Sequence, residues 1–227
     1  MEAKTALSRA ALKLIAPHTV IGLGASSVMP SLVDLIADAM QKGMQLKILS
    51  SSLVTQQLLL QKGIYPQVIS HYSAIDSYFD GCDQMDHQLN AVKSGGGIHT
   101  MEKLLARMSK EFILLGDASK YTQTFNPVYP LVLEILPAAI LYVQSKVYQL
   151  FPQCLCTLRM SDRYTGAAIT ENGNYLLDIL FVSWPEASFV HTTCKQITGV
   201  VETSIFYKIA TKALVFERDV VVEKFPE

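Results

Sequence analysis

Short apolar runs of strand length alternate with helix-length amphipathic segments through the first half of this chain, and that alternation restricts it to few folds. Residues 19–24, Thr-Val-Ile-Gly-Leu-Gly, read as a buried strand entering a turn. Pro30 suits the first turn of a helix, Leu32, Leu35, Ile36, Ala39 and Met40 recur at helical spacing, and Gly43 stops it. Leu46–Ser50 predicts a second strand, and Leu53–Gln61 a second helix ended by Gly63. Short strands are expected at residues 66–70 and at Tyr78-Phe79. Met101, Leu104, Leu105 and Met108 mark another helix by the same periodicity, and residues 112–117 another strand. Strand alternating with helix argues for a mainly parallel sheet covered on both faces.

The pattern then changes. Residues 131–136 read as a strand. Pro137 opens a helix carrying Ile140, Val143, Val147, Leu150 and Phe151 on one side, and residues 154–159 can form a strand. Asn172-Gly173 is a turn signal before a strand at residues 175–181, which suggests a hairpin. Residues 213–216 are expected to return a strand to the first unit. The 227 residues suffice for one large domain or two small ones. The expected division is a larger domain of residues 1–128 with 205–227, and a small α+β domain of residues 129–204.

Half the residues are hydrophobic and 17% are charged, which argues against disorder. A net charge of -1 and the lack of any run of lysines or arginines argue against a nucleic-acid partner. The start has no basic segment followed by an apolar signal core, and longer apolar runs are broken by Pro137 and Asp178. The expectation is a cytoplasmic protein with no membrane partner. Cys82, Cys154, Cys156 and Cys194 lack zinc-type spacing, so reduced thiols are expected, with Cys154 and Cys156 on one face of a strand.

Four stretches carry residues suited to chemistry. Gly22-x-Gly24-x-x-Ser27 follows a strand and precedes a helix, where backbone N–H groups and the helix dipole can hold a phosphate. The same glycines also serve a mere tight turn. A dinucleotide site fits poorly, because the second strand ends in Ser50-Ser51-Ser52 rather than in an acid. Asp80, Asp83 and Asp86 form an acidic cluster interrupted by Gly81, without the alternating acids of a calcium loop, so no metal is expected. A polar turn at a strand end explains them equally well. Lys93-Ser94-Gly95-Gly96-Gly97 lets main chain approach a ligand, and Glu102 falls in the first turn of the next helix, where an acid also complements the helix dipole. Asp117-Ala118-Ser119-Lys120 follows a strand. His18, His71, His87, His99 and His191 show no ligand spacing, and His99 reads as a surface or capping residue.

These blocks, in this order, resemble the A-type ribose-5-phosphate isomerase family. Its Asp-Gly-Ala-Asp-Glu is matched at Asp80, Gly81 and Asp83, with Cys82 and Gln84 departing. Its lysine, glycine run and Thr-x-Glu-Lys are matched at Lys93, Gly95, Gly96, Thr100, Glu102 and Lys103, and its Asp-x-Ser-Lys at Asp117, Ser119 and Lys120. Its Gly-x-Gly-Thr-Gly-Ser-Thr loop is altered here to Gly22-Leu23-Gly24-Ala25-Ser26-Ser27-Val28. Weaker matches include Lys4 before the first helix, residues 133–137 and residues 170–174.

The resemblance implies an α/β fold: a Rossmann-like mainly parallel sheet with helices on both faces, plus a small α+β domain. It implies conversion of ribose 5-phosphate to ribulose 5-phosphate, in the pentose phosphate pathway, without cofactor or metal. Glu102 would be the base, Asp80 and Asp83 would move hydroxyl protons, and Lys93 would stabilise an enediolate. Lys4, Gly24, Ala25, Ser26, Ser27, Gly95, Gly96 and Lys120 would bind the sugar phosphate. Assembly into a homodimer or homotetramer is expected. The altered loop leaves open a sugar-phosphate sensor without turnover, or an isomerase for another sugar phosphate.

Overall fold

The structure, a computed structural model, describes residues 2–227. Its elements, in chain order, are α1 (Glu2–Lys13), β1 (Thr19–Leu23), α2 (Met29–Gln41), β2 (Leu46–Ser50), α3 (Leu53–Gln61), β3 (Ile75–Gly81), β4 (Gln84–Met85), β5 (Ala91–Val92), α4 (His99–Met108) and β6 (Ser109–Asp117). Then come β7 (Leu131–Ile135), α5 (Ile140–Leu150), β8 (Leu155–Leu158), β9 (Tyr175–Leu180), α6 (Ala187–Lys195), β10 (Val200–Thr203), β11 (Ile205–Phe206), β12 (Lys212–Glu217) and β13 (Val220–Lys224).

The main sheet is six-stranded, in the order β13-β12-β6-β3-β1-β2. Every pair in it is parallel except β12–β13. The middle of strand β6, residues 112–115, shows why a strand here is continuously apolar. Ile113 and Leu115 enter a core shared with α1, α2 and α3, whereas Phe112 and Leu114 enter a second core on the opposite face, against α4. Both faces are covered, so neither set can be polar. An antiparallel sheet of order β10-β7-β9-β8 makes a small domain with α5 and α6, around Leu133, Val143, Val147, Leu177 and Val190. A short ribbon, β11-β5-β4, takes β4 and β5 from the segment between β3 and β6, and β11 from the segment between β10 and β12, so it joins the two sheets. Among the described residues no helix is long and apolar enough to cross a membrane.

Four local expectations change. Residues 66–70 do not form a strand: Gln67 N–H donates to the Ile48 carbonyl (2.7 Å) and a 3-10 turn, Ile69–His71, follows. Pro66 has no N–H to extend that pairing. Lys4 lies inside α1 rather than before it, and is exposed. Cys154 precedes β8 and is only half-buried, while Cys156 is buried; all four cysteines are free. The largest difference is in α4. It buries His99, Glu102, Lys103, Leu105 and Ala106, and leaves Leu104 44% exposed. Its inward face is chosen by ion pairs as well as by apolar contact.

Candidate active site

Strands β1 and β3 are neighbours, yet the chain leaves β1 for β2 on the opposite side. A crevice opens at the carboxyl ends of strands at such a reversal. Here the turns after β1, β3 and β6 meet the glycine loop between β5 and α4. Ala25, Ser26, Ser27, Cys82, Asp83, Lys93, Gly95, Gly96, Glu102 and Lys120 line a cleft of about 430 Å³.

At its floor the Lys93 ammonium lies 3.0 Å from Asp80 Oδ2 and 3.3 Å from Glu102 Oε1. It also donates to the Gly81 carbonyl and stands 5.8 Å from the centre of the Phe206 ring. Burial alone would lower the lysine's pKa, but the two carboxylates overcome it and raise the pKa above its ordinary value. Glu102 is 4% exposed. Burial raises its carboxyl above the ordinary glutamate range, Asp80 adds to the rise, and Lys93 opposes it. A carboxyl raised toward neutrality, facing a cleft beside a fixed cation, is suited to accept and return a carbon-bound proton.

Asp80 sits deeper than the sequence suggested. It is fully buried, and its side chain does not line the cleft. Its Oδ1 accepts from Ala25 N–H (3.0 Å) and Gly81 N–H (2.7 Å), and its Oδ2 accepts from the Tyr78 hydroxyl (2.8 Å). That hydroxyl also bonds Ser51 Oγ (2.8 Å). Asp80 therefore ties the β1 turn to Lys93. A methyl group on Gly24 would stand 2.0 Å from the Asp80 carboxyl carbon, so glycine is required there to admit that carboxylate.

Asp83 does face the cleft, and its Oδ2 accepts from Ser94 N–H (2.6 Å) and Gly95 N–H (3.2 Å). Lys120 also lines it and donates to the Cys82 carbonyl (2.6 Å). Burial pushes the Cys82 thiol up to about 12, which leaves it a thiol rather than a nucleophile. In the β1 turn, Ala25, Ser26 and Ser27 reach the cleft, and α2 begins without a side-chain cap. Pro30 has no N–H and Met29 N–H donates to the Ser26 carbonyl (3.1 Å), so what this end offers an anion is the helix dipole and the hydroxyls of Ser26 and Ser27. Val28, by contrast, is 4% exposed and packs into the core. Lys4 does not line the cleft; α1 meets the start of α2 one turn later, where Ser8 and Ser31 hydroxyls bond (2.7 Å).

The three acids do not converge on a cation. Asp86 turns away to accept from Gln88 N–H, Asn90 N–H and Asn90 Nδ2, and among the described residues no metal-binding cluster forms.

Several contributors went unread in the sequence. Tyr78 shares a strand face with Asp80 two residues on, which was a usable signal. Glu134 is fully buried between apolar neighbours, itself a sign of a paired acid. It accepts from Thr100 at the start of α4, and from Thr170 (2.9 Å), Asn172 (3.0 Å) and Asn174 (2.8 Å). Burial would raise its carboxyl, but these four donors hold it below the ordinary range. Lys103 is buried against Glu202 (2.9 Å) and Thr203. Burial lowers Lys103 to about 8, while Lys103 helps bring the more solvated Glu202 to about 2, against the opposing effect of its own burial. At Lys103, the more deeply buried partner, burial outweighs the bonds to Glu202 that favour its charged form; at Glu202 the pairing outweighs burial. His99 is fully buried rather than a surface or capping residue, with Nδ1 unpartnered.

Comparison with known proteins gives a consistent result. The model of the family described as ribose 5-phosphate isomerase A (phosphoriboisomerase A) matches residues 47–219, a stretch that begins after the β1 turn. Ribose-5-phosphate isomerase A of Prochlorococcus marinus is 30% identical over 217 residues, covering 94% of this chain and 91% of that protein. The human ribose-5-phosphate isomerase is 33% identical, covering 93% of this chain and 69% of that protein. The structure of ribose 5-phosphate isomerase A from Methanocaldococcus jannaschii superposes with a TM-score of 0.90 at 28% identity, covering 99% of this chain and 98% of that one. A D-ribose-5-phosphate isomerase in complex with phospho-erythronic acid gives 0.91, also at 28%, with the same coverage.

Proposed function

The chain belongs to the ribose 5-phosphate isomerase A family, and from that premise we propose how its cleft interconverts ribose 5-phosphate and ribulose 5-phosphate. The observation that carries this reading is the buried Asp80–Lys93–Glu102 array at a cleft bordered by Asp83, Lys120 and the glycine loop.

An aldose–ketose isomerisation moves one proton between adjacent carbons, with charge held on oxygen meanwhile. Glu102 takes the proton from C2 of the open-chain aldose and returns it to C1 of the enediolate. The electron pair released from C2–H forms the C1–C2 double bond, and the carbonyl pair moves to O1. The Lys93 ammonium, held in place before reaction, stabilises that oxygen without reorganisation. Asp83, which lines the cleft, opens the furanose ring and moves hydroxyl protons. Asp80 works from beneath, fixing Lys93 and the β1 turn. Ser26, Ser27 and the start of α2 grip the phosphate with Lys120, and so orient the reacting end. Phospho-erythronic acid, bound in the relative, presents a planar carboxylate with two oxygens, the arrangement an enediolate shares.

Leu155 and Leu180 are exposed (54% and 37%) and pair directly across β8–β9, and Val182 just after β9 and Tyr142 on α5 are also exposed. These residues support homo-oligomerisation through the small domain, which light scattering on the purified chain checks. The functional test is incubation with ribose 5-phosphate in the presence of EDTA, with ketose formation followed by absorbance. Turnover is expected. Binding with recovery of unchanged aldose would overturn the reading.

A further inference from the structure

We propose that Arg159 is a positioning residue for the reaction, holding the glycine loop of the cleft from the small domain. The proposal rests on the isomerase reading above.

Arg159 follows β8, and its side chain crosses to the loop between β5 and α4. Its Nη2 donates to the Ser94 carbonyl (2.8 Å). The guanidinium is aimed by Asp178 on β9, through Nε to Oδ2 (2.9 Å) and Nη2 to Oδ1 (2.6 Å). Main-chain bonds on either side of the residue, Arg159 N–H to Leu176 (2.8 Å) and Ala168 N–H to the Arg159 carbonyl (2.9 Å), fix where this side chain starts.

The loop has little stiffness of its own. Gly95 and Gly96 are exposed, and Gly96 and Gly97 hold φ of 66° and 71°. A glycine run pays the largest conformational entropy on ordering, so its fixed shape must be imposed from outside. Three contacts impose it on Ser94. Asp83 accepts from its N–H, the Pro130 carbonyl accepts from its hydroxyl (2.6 Å), and Arg159 donates to its carbonyl. Of these, the Arg159 bond is the one a charged side chain supplies across the two domains. Gly95 and Gly96 line the cleft beside Lys93 and Glu102, so their main chain faces the reacting end. Gly95 N–H is already given to Asp83, so the Gly96 main chain held beside it is what acts on charge that develops in the transition state, and loosening it should reduce kcat more than it raises KM.

Arg159 and Asp178 side chains are 21% and 23% exposed, so water reaches the Asp178 carboxylate that substitution of Arg159 leaves without its partner. In Arg159→Met, kcat for ribose 5-phosphate should fall roughly ten- to a hundred-fold, the range of a lost charge-assisted hydrogen bond, with KM changed by less. Low guanidinium chloride, against a sodium chloride control of equal strength, should restore part of kcat in Arg159→Met and none in the parent. Arg159→Lys should stay impaired, because one ammonium cannot serve Asp178 bidentately and Ser94 together. A folded Arg159→Met enzyme with parental kcat overturns the proposal, as does a loss confined to thermal stability. If that variant fails to accumulate, Asp178→Asn keeps the guanidinium and removes its aim; a parental kcat there overturns the proposal equally. A parent chain that binds ribose 5-phosphate without turning it over would instead overturn the isomerase reading, and that measurement comes first.

Discussion

Glu102 shares its buried space with Lys93 and Asp80, so replacing its charge without changing its shape separates proton transfer from binding. Glu102→Gln should lower kcat on the order of 100- to 10,000-fold, the usual contribution of a general base, while calorimetry still registers ribose 5-phosphate. Activity within a few-fold of the parent would remove Glu102 from the role. Because its carboxyl is raised, the acid limb of kcat/KM should lie above pH 4.5, the ordinary glutamate value. His99 carries a second pH signature. Burial, then Lys103, lowers it to about 4 from 6.5; Glu134 and Glu202 oppose that weakly. Below pH 6.5 the unfolded chain gains a proton that the native state refuses, so stability falls as pH drops from 6.5 to about 4. The loss is about 3 kcal/mol at its limit, and His99→Gln should flatten that part of the urea-midpoint profile.

At the scale of an element, the turn between β1 and α2 departs from its family yet keeps what Asp80 demands. Gly24→Ala should abolish activity, because its methyl would occupy the space of the Asp80 carboxyl. Ala25 is exposed at the cleft, so Ala25→Thr can add a hydroxyl to the phosphate and should lower KM with kcat nearly unchanged, since phosphate binding is common to ground and transition states. Val28→Thr should behave differently. Its side chain is in the core, so the hydroxyl would gain no phosphate and would cost about 1–3 kcal/mol of stability. Steady-state kinetics and thermal melts on the two variants check this, and a lower KM in Val28→Thr would show that the turn rearranges around substrate. Helix α4 teaches the same lesson: its apolar spacing predicted the helix, but not that Glu102 and Lys103 face inward while Leu104 faces out.

Across the whole molecule, the small domain reaches the catalytic segments through side chains as well as through the chain itself. Glu134 accepts from Thr100 in the first turn of α4 and from three donors in residues 170–174. Glu134→Gln offers one acceptor atom in place of two and turns an N–H₂ toward donors. It should cost about 1–3 kcal/mol of stability for each donor left unpaired. Melting temperature and kcat should therefore fall together, and a variant as stable as the parent would show the node to be dispensable. EDTA should leave turnover unchanged, because Asp80, Asp83 and Asp86 direct their oxygens at three separate partners.

Much of this arrangement was legible along the chain because it rests on local chemistry. Strand-length apolar runs doubly covered in a parallel sheet, the helix at Pro30, and the glycines at 22 and 24 all have causes within a few residues of themselves. Glu102, Lys93 and Asp83 were legible too, through spacing that resembles a family. What the linear order did not contain is which face of α4 turns inward, the burial of Asp80, and the reach of Glu134 and Arg159 across the domain boundary. Those outcomes depend on partners far away in sequence: Lys103 with Glu202, Glu134 with Thr170, Arg159 with Ser94. A buried charge is placed by its counter-charge and its donors, and only folding brings these together.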